Sequence, residues 1–284
     1  MKGAFATVAA PTFAALTVIV TLSSARADGF DACAAMFPGG AVPQAQSPTV
    51  QDLCKTIDVE AIFAVRFDTT RKIPNWTAHR LSASLVEQGD ANDGKLKRPS
   101  FKRDKAIRAS LQAIDDSYTN SGYQRGHMVP ADDMSWSKAA YDATFVLSNA
   151  VPQVGGFNNK SWRGLEEKAR DWGRTKKKPI WIFAGTYGGH GRIGERPHTP
   201  EIPKCFYKIV VAPGDGDQSY KVLAALFAGD NDDKRNQWAL SLTTLDTVRA
   251  RSGIDFLAGL NVENGHDADY WGVAMPATPA DCIS

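Results

Sequence analysis

The chain has 284 residues, 43% of them hydrophobic and 23% charged, an ordinary globular balance with material for one sizeable core or two small ones. That excludes a chain disordered overall. With 33 Lys and Arg against 31 Asp and Glu the formal net charge is only +2, so an overall positive field is also excluded as the means of attracting a polyanion, and any such attraction rests on local clusters.

The first stretch, MKGAFATVAAPTFAALTVIVTLSSARA, has a cation at Lys2, an apolar run through Ile19 and Val20, and a small-x-small site at Ala25-Arg26-Ala27. It reads as a secretory signal cleaved after Ala27. A membrane anchor is the poorer reading, because Pro11 and several threonines interrupt the run and an A-x-A site ends it. The expectation is an exported protein, periplasmic or secreted, with no stable membrane association. Loss of residues 1–27 removes Lys2, Arg26 and no acid, leaving a formally neutral chain. The four cysteines, Cys33, Cys54, Cys205 and Cys282, form no C-x-x-C pair, and an even count in an exported chain reads as two disulfides rather than a zinc site. Of three possible pairings, Cys33 with Cys54 and Cys205 with Cys282 is favoured: the first closes a short loop and the second ties the C-terminal tail to the body.

Residues 28–58, rich in Gly, Pro, Ala and Gln, are expected to form an irregular arm, with one folded domain over residues 59–284 whose body begins in earnest at about Ile62. IFAVRFDTTRKIPNWTAHRLSAS alternates apolar and polar residues on both sides of Lys72-Ile73-Pro74 and predicts a β-hairpin. EQGDANDGKLKRPSFKRDKAIRAS predicts an exposed loop, and FVLSNAVPQ a buried strand that runs out at Pro152. KSWRGLEEKARDWGRTKKKP has helical spacing at Trp162, Leu165, Ala169 and Trp172, with Gly173 as its stop. IWIFAGTYGG is a short apolar run ending in glycines. CFYKIVVAPGDGDQSYKVLAALFAG predicts a second hairpin around Gly214-Asp215-Gly216, and LTTLDTVRARSGIDFL a short helix stopped by Gly253. Strands cluster as hairpins rather than alternating regularly with helices, so the expected class is α+β, a largely antiparallel central sheet with flanking helices. No internal repeat and no second-domain boundary is evident.

QRGHMVPADDM, residues 124–134, is the segment that points to chemistry. On a strand Arg125 and His127 face the same side while Gly126 faces away and leaves room for close backbone approach. A neutral imidazole, with an unperturbed pKa of about 6.5, suits a base that activates water, and a guanidinium fork suits phosphate oxygens. Downstream, SNAVPQVGGFNNKSWRGLEEKARDW sets Asn158, Trp162 and Glu166 four residues apart on one helical face. An amide oxygen and a carboxylate there suit a hard cation that keeps several waters. Taken without the RGH segment, the same residues read better as an N-cap, a core tryptophan and a solvated glutamate.

Together these blocks resemble the DNA/RNA non-specific endonucleases, the ββα-metal or His-Me finger nucleases, whose signature is D-R-G-H followed by S-N-x-x-P-Q and N-x-x-x-W-x-x-x-E. NWTAHRL, RPSFKRD, the strand ending at Gly185, the P-x-x-x-x-K strand from Pro203 to Lys208 and TTLDTVRARSGIDFL extend the resemblance over residues 60–260. It implies a ββα-metal finger active site and a magnesium-dependent, sugar-non-specific endonuclease, with manganese as a substitute ion, DNA and RNA as substrates and 5'-phosphate ends on the products. It implies His127 as general base, Asn158 as ligand of the single magnesium, Glu166 as the carboxylate that orients metal-bound water, and Arg125 as the signature arginine near the phosphate. Asn149 falls at the end of the second finger strand, near metal and substrate. Arg98 is the candidate for the upstream arginine that stabilises the transition state, with Lys97, Lys102 and Arg103 close by.

Gln124 stands where the signature has aspartate, keeping a hydrogen-bonding oxygen and losing the charge. That leaves two alternatives open: a catalytically weakened nucleic-acid-binding protein of the same fold, and a hydrolase of other phosphodiesters. The lysines of GRTKKKP, Lys176 and Lys177 among them, read either as cations favourable at a helix C-terminus or as substrate contacts. Asp132 and Asp133 read as structural groups and His79 as buried scaffold. His190, His198 and His266 lack the regular spacing of a second metal site.

Overall fold

The computed structural model describes residues 1, 3, 29–45, 49–194, 198–214, 219–230, 235–262 and 265–282; the expected signal segment lies outside them, apart from isolated residues. In chain order the regular elements are β1 (Val50–Ile57), β2 (Glu60–Asp68), β3 (Ile73–Leu81), α1 (Ala83–Ala91), β4 (Tyr123–His127), α2 (Lys138–Ala143), β5 (Ala150–Val154), α3 (Gly155–Phe157), α4 (Arg163–Thr175), β6 (Ile180–Arg192), β7 (Glu201–Pro213), β8 (Ser219–Ala228), β9 (Leu242–Thr243), α5 (Leu245–Ser252), β10 (Asn261–Val262) and α6 (Ala268–Trp271). Among the described residues one large sheet runs in the order β1-β2-β3-β6-β7-β8-β10, with β9 against β8, and β4 and β5 form a separate ribbon. Every pair in the large sheet is antiparallel except β8 with β10. The α+β class with a largely antiparallel sheet is what the structure has.

Both faces of that sheet are covered. On β7, Tyr207, Ile209 and Val211 pack with Phe183, Leu245, Val248 and Phe256 on one side. Phe206, Val210 and Ala212 pack with Phe157, Trp162 and Leu165 on the other. Successive side chains of a strand point to opposite faces, and with both faces buried the strand reads as one apolar run rather than an alternation. Lys208 is the exception in that run and is 1% exposed; it faces the α4 side, where it meets an acid described below.

The N-terminal region is not an irregular arm. Phe30 and Phe37 pack on Trp76 with centroids 5.2 and 5.9 Å away, and residues 50–57 form β1, the edge strand paired with β2. The folded body therefore begins well before Ile62, because Gly- and Pro-rich sequence still places large apolar groups on an open sheet face. Cys33 is bonded to Cys54 and Cys205 to Cys282, the favoured pairing.

Several boundaries move for identifiable reasons. The first hairpin turns at residues 69–72, with Lys72 at φ 59°, slightly before Ile73 and Pro74, which already belong to β3. The expected loop 87–110 begins inside α1, whose N-cap Ser82 accepts from the Leu85 amide. FVLSNAVPQ is buried throughout but is a 3-10 turn at Leu147–Asn149 followed by β5. Pro152 does not end that strand, since a two-stranded ribbon leaves an edge where its missing donor is not needed. Helix α4 continues past Gly173 to Thr175. A Cβ on Gly173 would lie 3.1 Å from the Leu81 Cβ, so this glycine serves close packing on β3 rather than termination. Gly253 does close α5, in the left-handed conformation at φ 68°. The tip of the second hairpin lies partly outside the described residues. Among the described residues no helix is long and apolar enough to cross a membrane.

Candidate active site

Strands β4 and β5 pair antiparallel with His127 opposite Ala150 and Gln124 opposite Gln153. The chain then passes through α3 and a π-helical turn, Asn158–Trp162, into α4. A π-turn is wider than an α-turn and recurs at functional sites. Here it lets Trp162 sit fully buried while Asn158 faces outward. The Trp162 indole Nε1 donates to the His127 carbonyl at 3.3 Å, which ties the helix to the strand. A cleft of about 620 Å³ opens over this junction, lined by Arg98, Gln124, Arg125, His127, Asn158 and Glu166.

The His127 ring is held between Phe101 and Phe145, each with its centroid 4.8 Å away. Its Nε2 is enclosed and has no hydrogen-bond partner among the described residues. Burial, then the positive Arg98, pushes its pKa down to about 3, so the imidazole is neutral at any pH near 7. Arg98 stacks over the Phe145 ring, 5.1 Å from guanidinium carbon to centroid.

Gln124 is exposed in the cleft, and its Oε1 accepts from Asn158 Nδ2 at 2.7 Å and from Asn159 Nδ2 at 3.1 Å. Arg125 shares the cleft with His127, as strand geometry predicts. It is engaged there by Asp115, through its Nε to the carboxylate and its Nη2 to the carbonyl at 2.7 Å, and stacks over Tyr118.

Glu166 reaches the cleft from α4 and accepts from Lys208 Nζ at 3.2 Å. Burial raises the Glu166 pKa, with Lys208 opposing; burial likewise lowers that of Lys208, with Glu166 opposing. The Lys208 ammonium also lies 3.9 Å over the Trp162 ring. One turn along α4, Arg170 Nη1 donates to Asp133 Oδ1 at 2.9 Å, and the other oxygen of Asp133 meets His79 Nε2 at 2.8 Å. Burial alone would raise the Asp133 pKa, but His79 and Arg170 bring it below the ordinary carboxylate value. A layer of paired polar groups therefore runs beneath the cleft from His79 on β3 to Lys208 on β7.

Three expected substrate contacts are elsewhere. Asn149 is fully buried and holds the segment after β4: its Oδ1 accepts from the Val129 amide at 2.8 Å and its Nδ2 donates to the carbonyls of Val129 and Thr144 at 3.0 and 3.1 Å. Lys176 and Lys177 do not line the cleft. Lys176 instead donates to the Tyr270 carbonyl at 2.8 Å and lies over that ring, because the end of α4 packs on α6 rather than on open solvent. Asn159 and Arg163 were not singled out from sequence, and Lys208 only as the last residue of the P-x-x-x-x-K strand, without a role in the site. Lys208 carried a signal: a lysine inside an uninterrupted apolar strand needs an acid to face.

Among the described residues no three His, Cys, Asp or Glu side chains converge to hold a metal. On the helix side of the cleft the oxygens are the amide of Asn158 and the lysine-paired carboxylate of Glu166, while the Asp115 and Asp132 carboxylates that also line it are engaged by Arg125 and Arg170. That donor set fits a hard cation that keeps most of its water and takes one or two protein ligands, as magnesium does, and does not fit zinc.

The model of the DNA/RNA non-specific endonuclease family matches residues 41–263. The chain is 30% identical over 211 residues to Nuclease C1 of Cunninghamella echinulata var. echinulata, covering 70% of this chain and 82% of that protein. It is 28% identical over 232 residues to a nuclease of Nostoc sp., covering 79% of each. The crystal structure of an EndoG/EndoGI complex superposes with a TM-score of 0.61 at 23% identity, over 75% of this chain and 87% of that one, a likeness of fold. The chain belongs to the DNA/RNA non-specific endonuclease family. It is a nuclease, a hydrolase of phosphodiester bonds whose substrates are nucleic acids.

Proposed function

We propose that this nuclease is a magnesium-dependent, sugar-non-specific endonuclease that cuts DNA and RNA and leaves 5'-phosphate ends. The observation that carries the reading is that neutral His127 and the Asn158 amide open into one cleft, with an arginine and a carboxylate beside them. His127 takes the proton of the water that attacks phosphorus in line. Arg98 balances negative charge gathering on the non-bridging oxygens. Asn158 would hold the cation, with Glu166 accepting hydrogen bonds from water next to it; a bound divalent ion supplies charge stabilisation at the phosphate and leaving oxygens. Arg163 and Asn159 offer further contacts along the cleft wall. Such groups meet backbone common to both nucleic acids, so they do not read sequence.

The test is cleavage of plasmid DNA and of RNA with magnesium, with manganese and with chelator, followed by direct ligation of the DNA products, which needs a 5'-phosphate. Both substrates are expected to be cut with either ion and neither with chelator. His127→Ala is expected to lower turnover by about 10²- to 10⁴-fold while nucleic-acid binding persists. Undiminished turnover in that variant, or cleavage in chelator, overturns the reading.

A further inference from the structure

The orientation of an asparagine amide is set by its hydrogen bonds, and in the cleft those bonds form a chain with a fixed end. Asn159 Nδ2 donates to the Gly155 carbonyl at 2.9 Å. A carbonyl oxygen only accepts, so the Asn159 atom there is the nitrogen. That same nitrogen lies 3.1 Å from Gln124, so the Gln124 atom facing it is an acceptor, its Oε1. The Asn158 atom 2.7 Å from that Oε1 is then a donor, its Nδ2, and the Asn158 oxygen lies on the opposite branch of its amide. A main-chain carbonyl thus decides, through two side chains, which edge of Asn158 is free to meet a cation. Gly155 leaves the space for it: a Cβ there would come within 3.1 Å of Gln124 Nε2.

We infer that Gln124 is a positioning residue for the cation: as a neutral acceptor it holds Asn158 Nδ2 so that Asn158 Oδ1 is the metal ligand. Without the acceptor nothing in the protein fixes the amide, and a cation must turn the oxygen towards itself at a cost in free energy. Donation by Nδ2 also polarises the amide and makes its oxygen a better ligand. The neutral glutamine leaves the surroundings of the cation less negative than an acid would. Two consequences separate: the acceptor sets whether the ion binds, and the missing charge sets how tightly.

The inference rests on the metal reading of Asn158, so the experiment begins there. Manganese binding is measured on the full chain without nucleic acid, by calorimetry and by the spin-resonance signal of free Mn²⁺, for the wild type and for Asn158→Ala, Gln124→Leu, Gln124→Glu and Asn159→Ala, with thermal unfolding as the check on folding. Asn158→Ala is expected to abolish binding. Gln124→Leu, which keeps the bulk and removes the acceptor, is expected to weaken it about 10-fold or more, the usual cost of losing a partner of a metal ligand. Gln124→Glu, which keeps the acceptor and adds a charge, is expected to bind at least as tightly as the wild type, and Asn159→Ala to fall between the two. If Asn158→Ala binds manganese normally, the metal reading and this inference both fall. If Asn158→Ala loses the ion while Gln124→Leu binds like the wild type, or Gln124→Glu weakens as Gln124→Leu does, the inference alone falls. Should Gln124→Leu not fold, Asn159→Ala decides in its place: unaltered affinity there overturns the chain of amides.

Discussion

His127 is enclosed by two phenylalanine rings and repelled by a neighbouring guanidinium, and that environment has a thermodynamic signature. Its pKa falls from 6.5 to about 3 on folding, so between these values the unfolded chain binds a proton that the native protein does not. Stability then rises with pH through that window and is lost as pH falls from about 6.5 towards 3, at up to about 1.4 kcal/mol per pH unit. His127→Gln removes the titrating group. Denaturant unfolding of the wild type is expected to show up to about 2 kcal/mol more loss between pH 6.5 and 5 than that of His127→Gln. Equal slopes would mean that the ring is as well solvated in the native protein as in the unfolded chain. The same burial that depresses this pKa keeps the imidazole in the form a base needs, so the acid limb of activity is expected to belong to other groups. Glu166 shows the opposite balance, since burial pushes its pKa up while the ammonium of Lys208 counters that tendency.

The finger works as a unit because a strand, a ribbon partner and a helix are locked through a few specific contacts. Gly126 lies over the side chain of Gln153, and a Cβ on residue 126 would overlap the Gln153 amide. Gln153 is fully buried, and its amide finds no hydrogen-bond partner among the described residues. Gly126→Ala is therefore expected to cost about 2 kcal/mol through overpacking and to displace β4, with its arginine and histidine, from β5. The double variant Gly126→Ala/Gln153→Ala relieves the overlap and is expected to recover most of that loss in thermal unfolding. No recovery would place the strain elsewhere. Asn149 closes the end of the ribbon beyond His127, holding Val129 through two hydrogen bonds and the Thr144 carbonyl through a third.

As a whole the protein is a sheet buried on both faces, with α4 laid on one of them and the β4–β5 ribbon beside it. Its near-zero formal charge leaves substrate attraction to local cations, and the structure separates those on the cleft from those committed elsewhere. Arg163 is exposed at the cleft and makes one surface ion pair with Glu167 at 3.0 Å, whereas Lys176 is held by Tyr270. In a plot of log binding constant against log salt, Arg163→Ala is expected to reduce the slope by about one, and Lys176→Ala/Lys177→Ala to leave it unchanged. A flattened slope in the lysine variant would extend the nucleic-acid path around the end of α4.

Spacing placed Arg125 and His127 on one side of a strand and Asn158 and Glu166 two helical turns apart, and the resemblance to a nuclease family is what grouped them as one candidate site; the structure brings all four to the same cleft. The hairpins, α4, α5 and the short loop closed by Cys33 and Cys54 were legible from periodicity, turn chemistry or closeness in sequence, whereas Cys205 with Cys282, 77 positions apart, was favoured among three pairings and settled by the fold. Long-range packing governs the rest. No local pattern could tell that the Gly- and Pro-rich start of the chain covers a sheet face with Phe30 and Phe37, that Asn149 turns inward, or that Lys176 finds Tyr270. Nor could it bring Lys208 beneath Glu166 or aim Gln124 at Asn158, 34 positions away. Those pairings exist only once β4, β7 and α4 are stacked, because burial and the satisfaction of polar groups are properties of the assembled layers and not of any one segment.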